Sequence, residues 1–188
     1  MVIRFPNGAT TSIDFREKAP LASFPEMWLE DGEYSSQKHH QSHWAVGVPG
    51  TVAGFWKAHQ LYGHGEWSSL VDPAIGLASG GFPLSESLAR GLKGLIEGRG
   101  SRHPGTMTSF AKNGSEAYAQ DEILKQPDLA RSLARIASDG HDGFYSGETA
   151  QLLIAEMERG GGMITMEDLQ RYQARERTPV HGSYRGYD

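Results

Sequence analysis

The chain reads as a helix-rich α+β fold with edge strands at both ends. Three observations predict it: a hairpin pattern over residues 1–20, helix-length apolar periodicities over residues 50–172, and a strand pattern over residues 178–188. Natural domains seldom leave both termini as raw sheet edges, so a segment with more sheet beyond it is expected, and with it self-association through those edges. A length of 188 residues suits one compact domain or a piece of a larger one.

In order, Val2-Ile3-Arg4-Phe5 leads into the turn signal Pro6-Asn7-Gly8, and Thr10 to Phe15 alternates with Ile13 and Phe15 on one face. Residues 21–45 show weak periodicity and are expected to be a loop with short helical turns. Gly50-Thr51 opens a helix with Val52, Phe55 and Trp56 near helical spacing, stopped at Gly63. Ser68 or Ser69 caps Leu70 to Ala78, which Pro73 interrupts or restarts, and Gly80-Gly81 ends it. Ser85 through Ile96 repeats the pattern with Leu88, Leu92, Leu95 and Ile96. Residues 98–126 are read as an irregular polar excursion. Pro127 at a first helical turn introduces Leu129, Leu133 and Ile136, closed by Gly140. Gly147 to Arg159 is amphipathic, with Leu152, Leu153, Ile154 and Met157 as its buried candidates. Thr165-Met166-Glu167-Asp168 has the form of a capping box for a short helix through Tyr172. Pro179 to Tyr187 reads as a strand with Val180 and Tyr184 on one face.

Composition excludes several classes. With 18 Lys and Arg against 23 Asp and Glu, and no basic stripe, a nucleic-acid partner is not expected. Mean hydropathy is −0.49, and no apolar run approaches the roughly 20 residues that span a bilayer. The opening Met1-Val2-Ile3-Arg4 turns polar too quickly for a signal peptide. Cysteine is absent, which removes disulfides and thiolate chemistry.

The most informative motif is Asp14-Phe15-Arg16-Glu17-Lys18-Ala19-Pro20. A strand pattern stops there, an arginine fork is presented, and Pro20 bars simple continuation. A guanidinium can grip a carboxylate with two parallel hydrogen bonds, so the corner could hold an acidic substrate. The bland alternative is an ion pair between Arg16 and Glu17 or another carboxylate. Asp14 shares the strand parity of Arg16 and Glu17 does not, so Asp14 is read as a sheet-face residue and Glu17 as an orienting partner. His39 and His43 have i, i+4 spacing, but no carboxylate motif accompanies them, so a polar loop is favoured over a metal site. Pro49-Gly50-Thr51-Val52-Ala53-Gly54 lacks phosphate-loop spacing; it is read as a tight turn, with Gly54 letting the helix press on a sheet. Trp44, Phe55, Trp56 and Trp67 are assigned to packing in preference to a ligand cleft. Arg175, Arg177 and Arg185 are read as a solvated face or ion pairs.

Four stretches together resemble the gamma-glutamyltranspeptidases, in order and at sensible separations. They are Thr11 to Pro20; Val46 to Phe55; Gln126-Pro127-Asp128-Leu129-Ala130 with Gly143-Phe144-Tyr145-Ser146-Gly147; and Gly161 to Leu169 through Tyr172. The closing Arg177-Thr178-Pro179-Val180 and Tyr184-Arg185-Gly186-Tyr187 fit as well, so nearly all 188 residues are covered.

The resemblance implies the αββα sandwich of the N-terminal-nucleophile hydrolases and a precursor that cuts itself into large and small subunits. This chain then corresponds to the middle of the large subunit. Arg16 becomes the group that grips the α-carboxylate of a γ-glutamyl donor such as glutathione. The attacking threonine, activated by its own freed amine, belongs to the small subunit. Thr10-Thr11 is not that nucleophile, because it leads into the strand toward Arg16. The implied partners are the rest of the large subunit and the small subunit; no cofactor is implied, and export to the periplasm or outside the cell is. A related acylase, a polyglutamate-capsule-processing enzyme and a non-catalytic assembly fragment are the alternatives.

Overall fold

The computed structural model describes residues 1–187. Its elements are, in chain order, β1 (Val2–Arg4), β2 (Thr10–Asp14), β3 (Leu29–Glu30), β4 (Glu33–Tyr34), α1 (Ser36–Gln41), α2 (Thr51–Tyr62), α3 (Trp67–Gly80), β5 (Phe82–Pro83), α4 (Glu86–Glu97), α5 (Pro104–Phe110), β6 (Ile123–Leu124), α6 (Pro127–Asp139), α7 (Asp142–Tyr145), α8 (Gly147–Gly160), α9 (Met166–Gln170) and β7 (Arg175–Arg177). The fold is α+β, dominated by helix. The chain divides into two compact units, residues 1–67 with 138–188 and residues 68–137.

The first unit carries the three-stranded antiparallel sheet, in the order β1-β2-β7. The expected hairpin forms because Asn7 and Gly8 supply its turn. The Asn7 side chain accepts from the Ala9 amide at 3.0 Å, and Gly8 takes φ +86°, which L-residues rarely adopt. Val2 then faces Ser12 across the pair. The middle strand places Ile13 at 0% exposure, where it joins Val48, Tyr145, Leu169 and Tyr172 in the unit's core. The Asp31-Gly32 corner, both residues at positive φ, closes a small second hairpin, β3–β4, within the stretch expected to be loop.

The expected strand over 178–187 is absent, and Asp188 lies outside the described residues. The sheet's third strand comes earlier, at Arg175–Arg177, pairing Ser12 with Arg177 and Asp14 with Arg175. Two physical reasons end it there. Pro179 has no amide to donate to a ladder. Beyond it, Arg185 and Gly186 at φ +51° and +80° fold Tyr184 and Tyr187 back on each other through hydrogen bonds of 2.8 and 3.1 Å. The Tyr-Arg-Gly-Tyr alternation therefore encodes a tight turn, and Val180 is 98% exposed.

Several helices follow the expected spans, with single residues departing from the expected faces. In α2 the buried residues are Ala53 and Gly54, while Phe55 is exposed. In α8 Met157 is buried as expected and Leu153 and Ile154 pack against the core, but Thr149 and Ala150 are buried too and Leu152 faces solvent. The capping box of α9 forms as read: Thr165 accepts from the Asp168 amide and Asp168 from the Thr165 amide.

In the second unit, Leu84, Ala89, Leu92 and Leu124 make a separate core, with Phe82, Phe110 and Tyr118 packed against it. Ser85 caps α4 by accepting from the Leu88 amide. The supposedly irregular stretch 98–126 contains α5, started by Pro104 in its first turn, and β6, paired with β5. Helix α5 buries none of its residues, so no apolar periodicity marked it.

Candidate functional site

Strand β2 ends at Asp14, and the next residues turn through a corner fixed at several points. The Asp14 carboxylate accepts from the Arg16 amide at 3.1 Å. The Tyr172 hydroxyl donates to the Arg16 carbonyl at 2.7 Å. Lys18 and Val48 exchange backbone hydrogen bonds of 3.3 and 2.8 Å. Farther on, the Leu21 amide donates to Asp168 at 2.7 Å. Helix α2 reaches the corner because Gly50 and Gly54 have no side chain. A β-carbon on Gly54 would lie 2.1 Å from the Phe15 ring, and one on Gly50 would lie 2.2 Å from the Phe15 carbonyl. Gly54 therefore does let its helix press on the sheet.

The arginine itself is presented to solvent. Its side chain is 81% exposed, and its Nε donates to both Glu17 oxygens at 3.2 and 3.3 Å. The two terminal nitrogens make no hydrogen bond among the described residues. Arg16 is thus paired with Glu17, and it also borders open concavities. One hollow of about 280 Å³ is lined by Met1, Ile13, Phe15 and Thr51 with Arg16. Another of about 320 Å³ is lined by Lys18, Tyr172, Arg175 and Arg177 with Arg16. Asp14 and Glu17 border both hollows.

The second hollow is lined by four cationic side chains and two carboxylates, an arrangement that attracts an anion. The carboxylates are fixed as charges. Arg177 donates to Asp14 at 2.6 Å and, with the Arg16 amide, holds its carboxyl below the ordinary value. Glu17 is lowered first by its own backbone amide and then by the Arg16 side chain. Neither is poised to exchange a proton near neutrality. Tyr172 is shifted the other way, by burial and then by the nearby Asp14 and Glu17 charges, so it remains a neutral donor. The corner can bind and orient an anion. Thr10 and Thr11 sit inside β2 with peptide nitrogens, which lack the basicity of a free amine.

The other singled-out residues lie elsewhere. His43 pairs with Glu156 at 2.8 Å, and the Tyr34 hydroxyl lies 2.8 Å from His39 and 3.1 Å from His40. Among the described residues no three His, Cys, Asp or Glu side chains converge as metal donors. Trp56 packs edge-on against Trp67 at 5.1 Å, and Trp44 lies under the Lys38 ammonium. Tyr172 and Lys18 escaped the sequence reading as contributors to the corner. Tyr172 is 156 residues from Arg16, and no local pattern signals such a contact.

The sequence profile described as Gamma-glutamyltranspeptidase matches residues 1–188. The glutathione hydrolase proenzyme of Escherichia coli K12 is 45% identical over 188 residues, all of this chain and 32% of that protein. The crystal structure of Helicobacter pylori gamma-glutamyltranspeptidase superposes with a TM-score of 0.95 at 40% identity, covering the whole chain and 54% of that one. The Pseudomonas nitroreducens enzyme complexed with L-DON gives 0.89 at 38% identity, over 99% of this chain and 54% of that one. The chain spans about a third of the length of the curated relatives it matches. A match that runs from the first residue to the last, through the Arg16 corner and both units, makes this chain a member of the gamma-glutamyltranspeptidase family.

Proposed function

We propose that these residues are the donor-binding part of an enzyme that transfers or hydrolyses γ-glutamyl groups through a threonine acyl-enzyme. In this reading they form the middle of the large subunit, and the nucleophile comes from polypeptide outside them. Arg16 grips the α-carboxylate of the glutamyl donor. The observation that carries the reading is a solvent-facing guanidinium on a backbone corner held from four sides.

The chemistry follows from the charges. Glu17 occupies the Nε edge of Arg16 and leaves the terminal nitrogens for an incoming carboxylate. Lys18, Arg175 and Arg177 add attraction from the same hollow. Binding the non-reacting head of the donor in one orientation is how such a residue speeds a reaction it does not itself perform. The rest of the large subunit, a small subunit bearing the threonine and a donor such as glutathione are the partners this reading calls for. Export to the periplasm or the outer surface is part of the proposal. No described helix is long and apolar enough to cross a membrane.

The test is Arg16→Lys and Arg16→Ala in the complete precursor that carries these residues. Losing charge-assisted hydrogen bonds to a carboxylate should raise KM for a γ-glutamyl anilide by roughly 10- to 100-fold. Self-cleavage into two subunits should proceed as before. An unchanged KM in both variants removes Arg16 from the site.

A further inference from the structure

We infer that Tyr172 is a positioning residue for the Arg16 grip, acting through the Arg16 carbonyl. The inference rests on reading Arg16 as the donor-carboxylate group. It goes further by naming the residue that sets the direction of the guanidinium.

The corner 15–21 is stapled at its two ends by one short piece of chain. Asp168 in α9 accepts from the Leu21 amide at 2.7 Å, and Tyr172, just after that helix, donates to the Arg16 carbonyl at 2.7 Å. The capping box fixes α9 itself, since Asp168 also accepts from the Thr165 amide and hydroxyl at 2.8 and 2.7 Å. Tyr172 is only 2% exposed, so the phenol has little freedom of its own. Its ring stacks on Tyr145 at 5.6 Å and 8°. Tyr145 in turn donates to the Pro49 carbonyl at 2.8 Å and accepts from the Ala53 amide at 3.4 Å, joining the stack to the start of α2. Gly50 completes the fit: a β-carbon there would lie 2.0 Å from the Tyr172 hydroxyl. Lys18 closes the other side, with its ammonium 4.8 Å from the ring centre and donating to the Gln173 carbonyl at 3.3 Å.

A purely stabilising tyrosine would need only its ring. This one spends its hydroxyl on the backbone of the very residue whose side chain faces the hollow. A phenol is protonated at neutral pH and burial raises its pKa further, so the bond persists there. Without the hydroxyl, water can satisfy the Arg16 carbonyl at this exposed corner, and what is lost is orientation.

The experiment uses the complete precursor with Tyr172→Phe, Arg16→Ala and the double variant. Two donors are compared: a γ-glutamyl anilide and its analogue lacking the α-carboxylate. Tyr172→Phe keeps the ring, the stack and the Lys18 contact. It is expected to raise KM for the full donor about 3- to 10-fold, the worth of one neutral hydrogen bond, with kcat nearly unchanged. The analogue's KM should not move, and Tyr172→Phe should add nothing to Arg16→Ala. A rise in KM from Arg16→Ala with none from Tyr172→Phe overturns the positioning role and leaves the Arg16 reading standing. Equal effects on both donors also overturn it, because they mark a structural residue. If Arg16→Ala itself leaves KM unmoved, the underlying reading fails instead. Should the phenylalanine variant not mature, Tyr145→Phe carries the same test: a selective but smaller rise supports the clamp, and none overturns it.

Discussion

The unit of residues 1–67 with 138–188 and the unit of residues 68–137 each bury an apolar core and differ in the polar bonds added to it. The first is fastened by directional polar bonds between residues far apart in sequence. Tyr172 reaches Arg16, Tyr145 reaches Pro49 and Asp168 reaches Leu21. Three of its glycines are spacers: Gly50, Gly54 and Gly140 lie where a β-carbon would collide. In the second unit apolar area carries more of the holding, beside polar contacts such as Lys112 with Glu122 at 2.6 Å. Helix α4 buries Ala89, Leu92 and Ile96, and its Gly91 and Gly94 face open space. Directional fit holds the unit that carries the Arg16 corner; non-directional burial suffices where an apolar face only has to be covered.

Three measurements can break or sharpen that contrast. The largest effect is expected from Gly50→Ala, which sets a methyl against the Phe15 carbonyl and the Tyr172 hydroxyl at 2.2 and 2.0 Å. Denaturant unfolding should show a loss of about 3 kcal/mol or more, at the top of the overpacking range. The paired control, Gly91→Ala, should gain about 0.5–1 kcal/mol by replacing a mid-helix glycine that has room for a methyl. Equal costs at the two positions would abolish the distinction. Next comes Leu84→Met in the second unit, where the leucine is 0% exposed and its apolar side chain packs by contact alone, its backbone bonds to Glu122 and Asp121 being untouched by the swap. A volume-conserving swap should cost under about 1.5 kcal/mol by the same measurement. A cost matching Gly50→Ala would mean that this core is as shape-critical as the corner.

The smallest effect concerns acid. The Asp14–Arg177 pair ties β2 to β7, and Arg177 holds the Asp14 carboxyl below its ordinary 3.8. Because the folded-state pKa is the lower one, the contribution is complete above 3.8 and fades as pH falls through the folded value. Thermal midpoints taken at neutral pH and at about pH 3 should therefore differ slightly less in Asp14→Asn than in the parent chain, as expected of an exposed pair. An identical pH response would show that the pair adds nothing to the sheet.

Much of the first unit was legible where the relevant chemistry is local. Asn7-Gly8 announced the hairpin, Thr165 to Asp168 announced the capping box, and the Asp14–Pro20 run announced a corner carrying an arginine. The Asp31-Gly32 turn was equally local and went unread, as did the proline start of α5. Faces were harder than spans. Periodicity finds a helix, yet it cannot tell that α2 lies so close to Phe15 that only Ala53 and Gly54 fit beneath it. At the far end, an alternation suited to a strand became a turn because the Arg185-Gly186 backbone between Tyr184 and Tyr187 takes positive φ.

By itself the sequence determined the helix and hairpin starts, the presence of a guanidinium at a strand's end and, by resemblance, the family. Those features depend on neighbours within a few residues, where side-chain chemistry and backbone preference act directly. Only the tertiary structure decided which groups hold the backbone corner beneath it: a tyrosine hydroxyl from 156 positions away on the Arg16 carbonyl, a glycine that makes room for that hydroxyl and an arginine on an adjoining strand paired with Asp14. Such contacts arise when folding brings distant segments together, and their geometry is set by the packing of everything between.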